Sequence, residues 1–159
     1  MKPEFFHDHA IIPALSLLPE RMDSPAGRAM ILAICLQESD IRHRAQIGGP
    51  ARGYPMFELH SGALLDVLNK PSTRQAAREL CVALDVALSP EAIYRAIEYN
   101  DILAAGVTRL FLWGSPRPLS GPDDPNGAYQ TYLAIWRPGK LSPERWPMRY
   151  AAAWSVVFP

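Results

Sequence analysis

Residues 33–58 read AICLQESDIRHRAQIGGPARGYPMFE, and the stretch changes character twice. Ala33 to Leu36 end an apolar run, and Glu38 is the carboxylate in its last turn. A polar piece follows, with Arg42, Arg44 and Arg52 placed around a turn at Gly48-Gly49-Pro50. Gly53 then leads back to Tyr54, Phe57 and a second carboxylate, Glu58. Upstream, Ser24-Pro25 offers an N-cap and a first-turn proline, so the pattern predicts a helix from there to about Glu38. Within it Ile31, Ile34, Cys35 and Glu38 fall at i, i+3, i+4 and i+7, which puts the carboxylate on the apolar stripe. A carboxyl so placed loses hydration in its charged form, and its pKa rises. A general acid working near neutral pH needs that direction of shift. Glu38 could instead close the helix end by pairing with Arg42 or Arg44, which would lower its pKa. The pattern alone leaves both readings open.

Outward from this stretch, the chain reads as short helices punctuated by proline. Residues 1–20 read as an arm and a helix from His9 to Leu18, ended by Pro19. After Ser61 a helix runs to Lys70 with Leu64, Leu65 and Leu68 inward. Ser72 or Thr73 caps the next, with Ala76, Leu80, Val82 and Leu84 as core. Ser89-Pro90 repeats the capping arrangement of Ser24-Pro25, with Ile93 and Ile97 inward. Asn100 or Asp101 caps a helix from Ile102 to Trp113 that buries Leu103, Val107, Leu110 and Phe111. Residues 114–127 form a surface loop, and Ala128–Trp136 an aromatic-rich helix. Ser142-Pro143 opens a last helix to about Trp154, broken or kinked at Pro147. The expected fold class is mainly α: a single domain of six to eight short helices, with at most a small β-hairpin within residues 45–58.

Composition narrows the functional classes. The 159 residues are 48% apolar and 20% charged, ordinary for a globular chain large enough to bury a core. The 16 prolines, about twice the usual share, keep the helices short. With no formal net charge, nothing global favours nucleic acid or a membrane surface. A helical regulatory or nucleic-acid-binding domain resting on Arg42, Arg44 and Arg52 would need a continuous basic face, which interleaved apolar residues deny. Cys35 and Cys81 lie in apolar-periodic segments and are expected as free buried thiols. No Cys/His spacing suits a metal, since His7 and His9, two residues apart, face different sides of a helix; no cofactor is expected. No uncharged apolar run reaches the ~18 residues of a membrane span. The apolar patch Ala10–Leu18 follows Glu4 and Asp8 and is interrupted by Pro13, so no signal peptide is expected.

The run LAICLQESDIRHRAQIGGPARGYPMFE resembles the catalytic region of the lysozyme-like superfamily. More narrowly it is similar to bacteriophage muralytic proteins related to lytic transglycosylases. Their pattern is Q-E-S at a helix end, then H-R-x-Q, then G-G-P-A-R-G, one further residue, and W-Q-F-E. Gln37-Glu38-Ser39 match the first element, His43, Arg44 and Gln46 the second, Gly48 to Gly53 the third, and Phe57-Glu58 the end. Weaker echoes lie at Asn100–Leu103, Arg109-Leu110, Trp113 and Tyr132 through Lys140, so the likeness runs from about residue 28 to 147.

The resemblance implies a helical lysozyme-like domain with a cleft, and Glu38 as the acid that protonates the glycosidic oxygen between N-acetylmuramic acid and N-acetylglucosamine. In the transglycosylases the same group then serves as base, and a sugar hydroxyl attacks to leave a 1,6-anhydro product. One carboxylate suffices there, unlike the two-carboxylate scheme of most glycosidases. Ser39, Gln46, Arg52, Gly53, Tyr54, Met56 and Tyr132 are the expected substrate-binding positions. Tyr54, Tyr129 and Tyr132 also have the chemistry to stack on sugar rings. Glu58 reads as a solvated loop acid. The implied partner is bacterial peptidoglycan and, for a virion component, other phage proteins. The implied place is the virion, or the host cytoplasm with release to the periplasm. One departure stands out: Pro55-Met56 replaces Trp-Gln, and methionine cannot donate the hydrogen bond that a cleft glutamine provides. It favours a rival, a lysozyme-like virion or tail protein that binds glycan or a partner without turnover.

Overall fold

A computed structural model describes residues 1–159, and its central element is α3, Pro25–Ser39. Ser24 has extended backbone, and its Oγ accepts the Gly27 N–H at 3.0 Å. Pro25 sits in the first turn, where a missing N–H loses no bond. From Ala29 to Leu36 every side chain is buried, so α3 is apolar all round, as a core helix must be. Only at Gln37 and Glu38 does it regain partial exposure.

The other helices wrap this one. α1 (Pro3–Phe6) and α2 (Ile12–Ser16) lie at the N-terminus, and α7 (Asp101–Trp113) and α9 (Trp146–Val157) pack directly on α3. α4 (Ala63–Asn69), α5 (Arg74–Ala83) and α6 (Pro90–Ile97) cover α7 from the far side, and α8 (Pro125–Trp136) packs on α9. One buried cluster of 39 hydrophobic residues runs from Phe6 to Trp154, so the chain forms a single mainly helical domain. Both cysteines are free and buried. No helix is long and apolar enough to cross a membrane.

Several local expectations are corrected. The N-terminal residues are not an arm: the helix starts at Pro3, and Phe6 is fully buried. A π-helical turn, His7–Ile11, joins α1 to α2, with the Ile12 N–H reaching back to His7 O. That wider turn admits Pro13, whose ring would clash with the carbonyl four residues back in a regular α-helix. Leu65 and Val82 are exposed; α4 buries Ala63, Leu64 and Val67 instead, and α5 buries Ala76, Ala77, Leu80 and Cys81. Phe111 is only half-buried. The break in the last helix falls before Trp146, after a 3-10 turn at Pro143–Arg145. Pro147 therefore lies in the first turn of α9 and kinks nothing. Residues 45–58 form a loop with two isolated antiparallel bridges, Ala45 to Arg52 and Arg52 to Phe57, and no strand pair. There are nine α-helical segments, because the π turn divides the first.

Side-chain caps set where the outer helices begin. Ser89 Oγ accepts the Ala92 N–H at 3.1 Å, and Asn100 Oδ1 accepts the Leu103 N–H at 2.9 Å. Ser89→Ala or Asn100→Ala should each lower stability by about 1 kcal/mol. The measurement is urea denaturation, where the midpoint falls and the slope stays unchanged.

Candidate active site

The end of α3 is tethered on either side of one carboxyl, Glu38, which is partly buried at the edge of a cleft. Ser39 Oγ donates to Cys35 O at 3.0 Å and to Tyr54 O at 2.9 Å, which ties the last turn to the returning loop. Arg149 on α9 donates to Gln37 O at 3.0 Å, to Gln37 Oε1 at 3.1 Å and to Asp40 Oδ1 at 2.5 Å. It thereby satisfies a helix-end carbonyl that has no partner within α3. Gln37 Nε2 donates to Ser142 O at 3.1 Å. The chain then leaves the helix through two successive left-handed residues, Asp40 and Ile41, both with φ of 52°. For a β-branched residue that conformation is strained by roughly 1–2 kcal/mol. Complete burial of the Ile41 side chain offsets it.

Glu38 lies between these tethers. The Tyr132 hydroxyl donates to its Oε1 at 2.5 Å, and no group of the chain donates to Oε2. Burial pushes the Glu38 pKa up, the Tyr132 hydrogen bond and the Arg149 charge pull it down, and the Glu58 charge pushes it up; the net shift is upward. Burial and the neighbouring Glu38 hold the Tyr132 phenol far above its ordinary range, so it stays a donor. Neither arginine of the following segment reaches Glu38. Arg44 forms a two-pronged pair with Asp101, at 3.0 and 2.7 Å, and covers the Tyr54 ring at 4.8 Å. Of the two readings that the helix pattern leaves open, the fold realises the desolvated carboxyl.

A cleft of about 910 Å³ opens over this carboxyl. Gln37, Glu38 and Ser39 contribute to it from α3, residues 43–58 form one side, and α8 with the segment after it forms the other. Three aromatic rings meet within it: Phe57 lies 5.2 Å from Trp136 and 6.1 Å from Phe111, and Phe111 lies 5.3 Å from Trp136. Trp136 Nε1 donates to Pro55 O at 2.9 Å and so joins α8 to the loop. Met56, next to that bond, is held at φ 55° with its side chain on the cleft. Lys70, Arg137, Lys140 and Arg145 add positive charge, and Glu58 and Asp66 negative.

Of the positions expected to bind substrate, Ser39, Gln46, Met56 and Tyr132 line this cleft with Glu38. Ser39 spends its hydroxyl on backbone carbonyls, and Gln46 Oε1 accepts the Ala51 N–H at 3.3 Å. Arg52, Gly53 and Tyr54 do not line the cleft. Arg52 pairs with Glu98 at 3.1 Å and donates to Gly49 O and Ala51 O, which makes it a brace of its own loop against α6. Gly53, at φ 73°, backs onto Ile97, whose Cγ2 would lie 2.3 Å from an added Cβ; it turns the loop toward α6 rather than toward a ligand. Tyr54 is buried edge-on against Phe6 at 5.5 Å. Tyr129 packs against Tyr132 and Trp146 at 5.9 and 5.5 Å. Nothing local in the sequence marks Arg149 or Phe111 as part of the site, whereas Trp136 lies in the aromatic-rich segment 128–136 and in the echo from Tyr132 to Lys140.

No protein-family model, curated protein or solved structure matches this chain. Function therefore has to be read from the chemistry of the cleft.

The upward shift of Glu38 makes a stability prediction. Between the ordinary carboxyl value of 4.5 and the raised native value, the folded state binds more protons than the unfolded state. Stability therefore falls as pH rises through that window. Glu38→Gln removes the titration while keeping the shape. The variant should melt higher than the wild type at neutral pH, and the gain should vanish below the ordinary carboxyl pKa. Paired thermal melts across pH 3–8 read this directly; an advantage that grows on acidification would contradict the desolvated carboxyl.

Proposed function

We propose that this protein is a peptidoglycan-degrading glycosidase of the lysozyme-like, lytic transglycosylase type, phage-encoded and acting on the host wall during infection or lysis. The observation that carries the reading is Glu38, a carboxyl with raised pKa opening into a large aromatic-lined cleft. The upward shift is the direction that a proton donor needs. Tyr132 fixes Oε1, so Oε2 is left to deliver the proton to the glycosidic oxygen between the N-acetylmuramic acid and N-acetylglucosamine units. The carboxylate so formed then takes a proton from the attacking hydroxyl, either water or the sugar's own. The partly exposed rings of Phe111 and Trp136 suit the apolar faces of sugars, with the buried Phe57 ring packed behind them. Glu58, on the same cleft, helps hold the Glu38 proton through its charge.

Loss of the general acid should lower the rate by at least ~10²-fold. Glu38→Gln should therefore release no soluble muropeptides from purified peptidoglycan, with circular dichroism unchanged. Mass spectrometry of the wild-type products separates anhydro-forming cleavage from hydrolysis. Turnover by Glu38→Gln at the wild-type rate would remove Glu38 from the mechanism.

Met56 favours the rival reading, a lysozyme-like wall-binding or virion protein without turnover. It lines the cleft where the resembled pattern carries glutamine, and it offers no donor. If the cleft is catalytic, Met56→Gln should add one hydrogen bond, worth roughly 0.5–1.5 kcal/mol, or about three- to tenfold in rate or affinity. Wild type and Met56→Gln that both bind several peptidoglycans and cut none would make the protein a binder.

A further inference from the structure

Arg109 is an interior arginine on α7, 4% exposed, and only its Nε is bonded within the chain, to Met22 O at 2.6 Å. Its two terminal amino groups have no partner among the protein's hydrogen bonds or ion pairs. Asp23 is the acid whose charge reaches it, but both Asp23 oxygens are taken by Arg28, at 2.7 and 2.6 Å. Burial pulls the guanidinium pKa down to about 10, so it remains charged at neutral pH.

Its position makes the charge harder to hold. The guanidinium rests against the first turn of α3, where a Cβ on Gly27 would come within 2.9 Å of Nε and 3.4 Å of Cζ. It therefore occupies the positive end of a 15-residue helix, the place where an anion, not a cation, is stabilised. The Ala26 N–H in that same turn is unpaired: the proline before it starts the helix, and Ser24 caps Gly27. The Trp113 ring covers the guanidinium at 5.0 Å.

Arg109 and Trp113 line a cavity of about 430 Å³. Ser24, Ala26 and the exposed Arg117 complete its polar side, and Leu112 and Leu119 contribute apolar surface. We propose that this cavity binds a small organic oxyanion, a carboxylate or phosphate carried on an apolar body. The terminal amino groups of Arg109 present a planar fork that matches two oxygens of such a group. Arg117 and the Ala26 N–H close on it from the mouth and from the helix end. The cavity is open to solvent on one side, and its apolar wall takes part of the body of the ligand. The site is separate from the cleft: Ser24 and Glu38 stand at opposite ends of α3, roughly 20 Å apart at 1.5 Å per residue. Ser115 lies on both, so the two open on either side of the segment after α7.

Nitrogen-15 NMR titration of the whole chain tests this with three probes: inorganic phosphate, hexanoate, and sodium chloride at matched ionic strength. Saturable shifts of the Ala26 and Gly27 amides and the Trp113 indole are expected with phosphate, hexanoate or both, and not with chloride. The tighter probe names the head group. Arg109→Met, close in volume, should weaken binding at least ~10-fold. Should that variant fail to fold, Arg117→Glu decides, because it changes only an exposed side chain at the mouth and should weaken binding as much. Shifts no larger than those with chloride, or an affinity unchanged in Arg117→Glu, would overturn the site and leave Arg109 as a prop for Met22 O.

Discussion

Arg149 joins α9 to the end of α3 through Gln37 O, Gln37 Oε1 and Asp40 Oδ1, and the cleft takes its shape from that clamp. A helix that is apolar on every side can be buried completely, but its last carbonyls still need donors. A water-filled end would open the core beneath Ile34 and Cys35. A buried guanidinium answers with several donors in one plane, and Asp40 balances its charge. Because those donors approach Gln37 and Asp40, they leave Glu38 between them with only Tyr132 as a direct partner. The same clamp holds Asp40 in the left-handed conformation that turns the chain out of the helix and across the cleft.

From there, α8 does two jobs at once. Tyr132 reaches the carboxyl, and one helical turn later Trp136 reaches Pro55 O on the opposite loop. The four-residue spacing puts both side chains on one face. A rigid helix thus fixes the distance between the loop and the acid, which a mobile side chain could not do. The left-handed backbone at Met56 follows from the same constraint: the loop must offer Pro55 O to Trp136 and then bring Phe57 back to bridge with Arg52. Strain at Ile41 and Met56 therefore brackets the site, and packing elsewhere maintains it.

The parts of this fold legible in the sequence are those with local physical causes. Ser24, Ser89 and Asn100 cap helices where the Ser-Pro pairs and the Asn-Asp pair place them. Glu38 lies at the end of a buried stripe because i, i+3, i+4 and i+7 share a face. What stayed hidden depends on contacts between distant residues. The Glu38 bond to Tyr132 spans 94 positions and the Gln37 bond to Arg149 spans 112, so no spacing rule carries them. That Arg52, Gly53 and Tyr54 lie outside the cleft was hidden for a related reason. Glycine beside a polar turn reads equally well as an opening for a ligand or as a close packing onto a neighbour, and only the position of Ile97 in α6 decides between them. Leu65 and Val82 show that an apolar residue within a short helix does not reveal its own face when the neighbouring helices are unknown.

Both ends of α3 carry a charge of the sign that the helix disfavours. The partial negative charge at its C-terminus opposes ionisation of Glu38, and the partial positive charge at its N-terminus opposes Arg109. Each mismatch would amount to only about 0.3–1 kcal/mol at an exposed site, but burial raises the penalty of an unmatched charge at both ends. The two residues can relieve it in different ways. A carboxylic acid can keep its proton, and the raised Glu38 pKa is that response. A guanidinium stays charged even at its lowered value of about 10, and the one acid whose charge reaches it, Asp23, gives both oxygens to Arg28, so an anion from outside the chain would relieve Arg109 further. One helix thus holds a group that gains from retaining a proton and a group that gains from meeting an anion. The first suits a proton donor and the second suits a receptor.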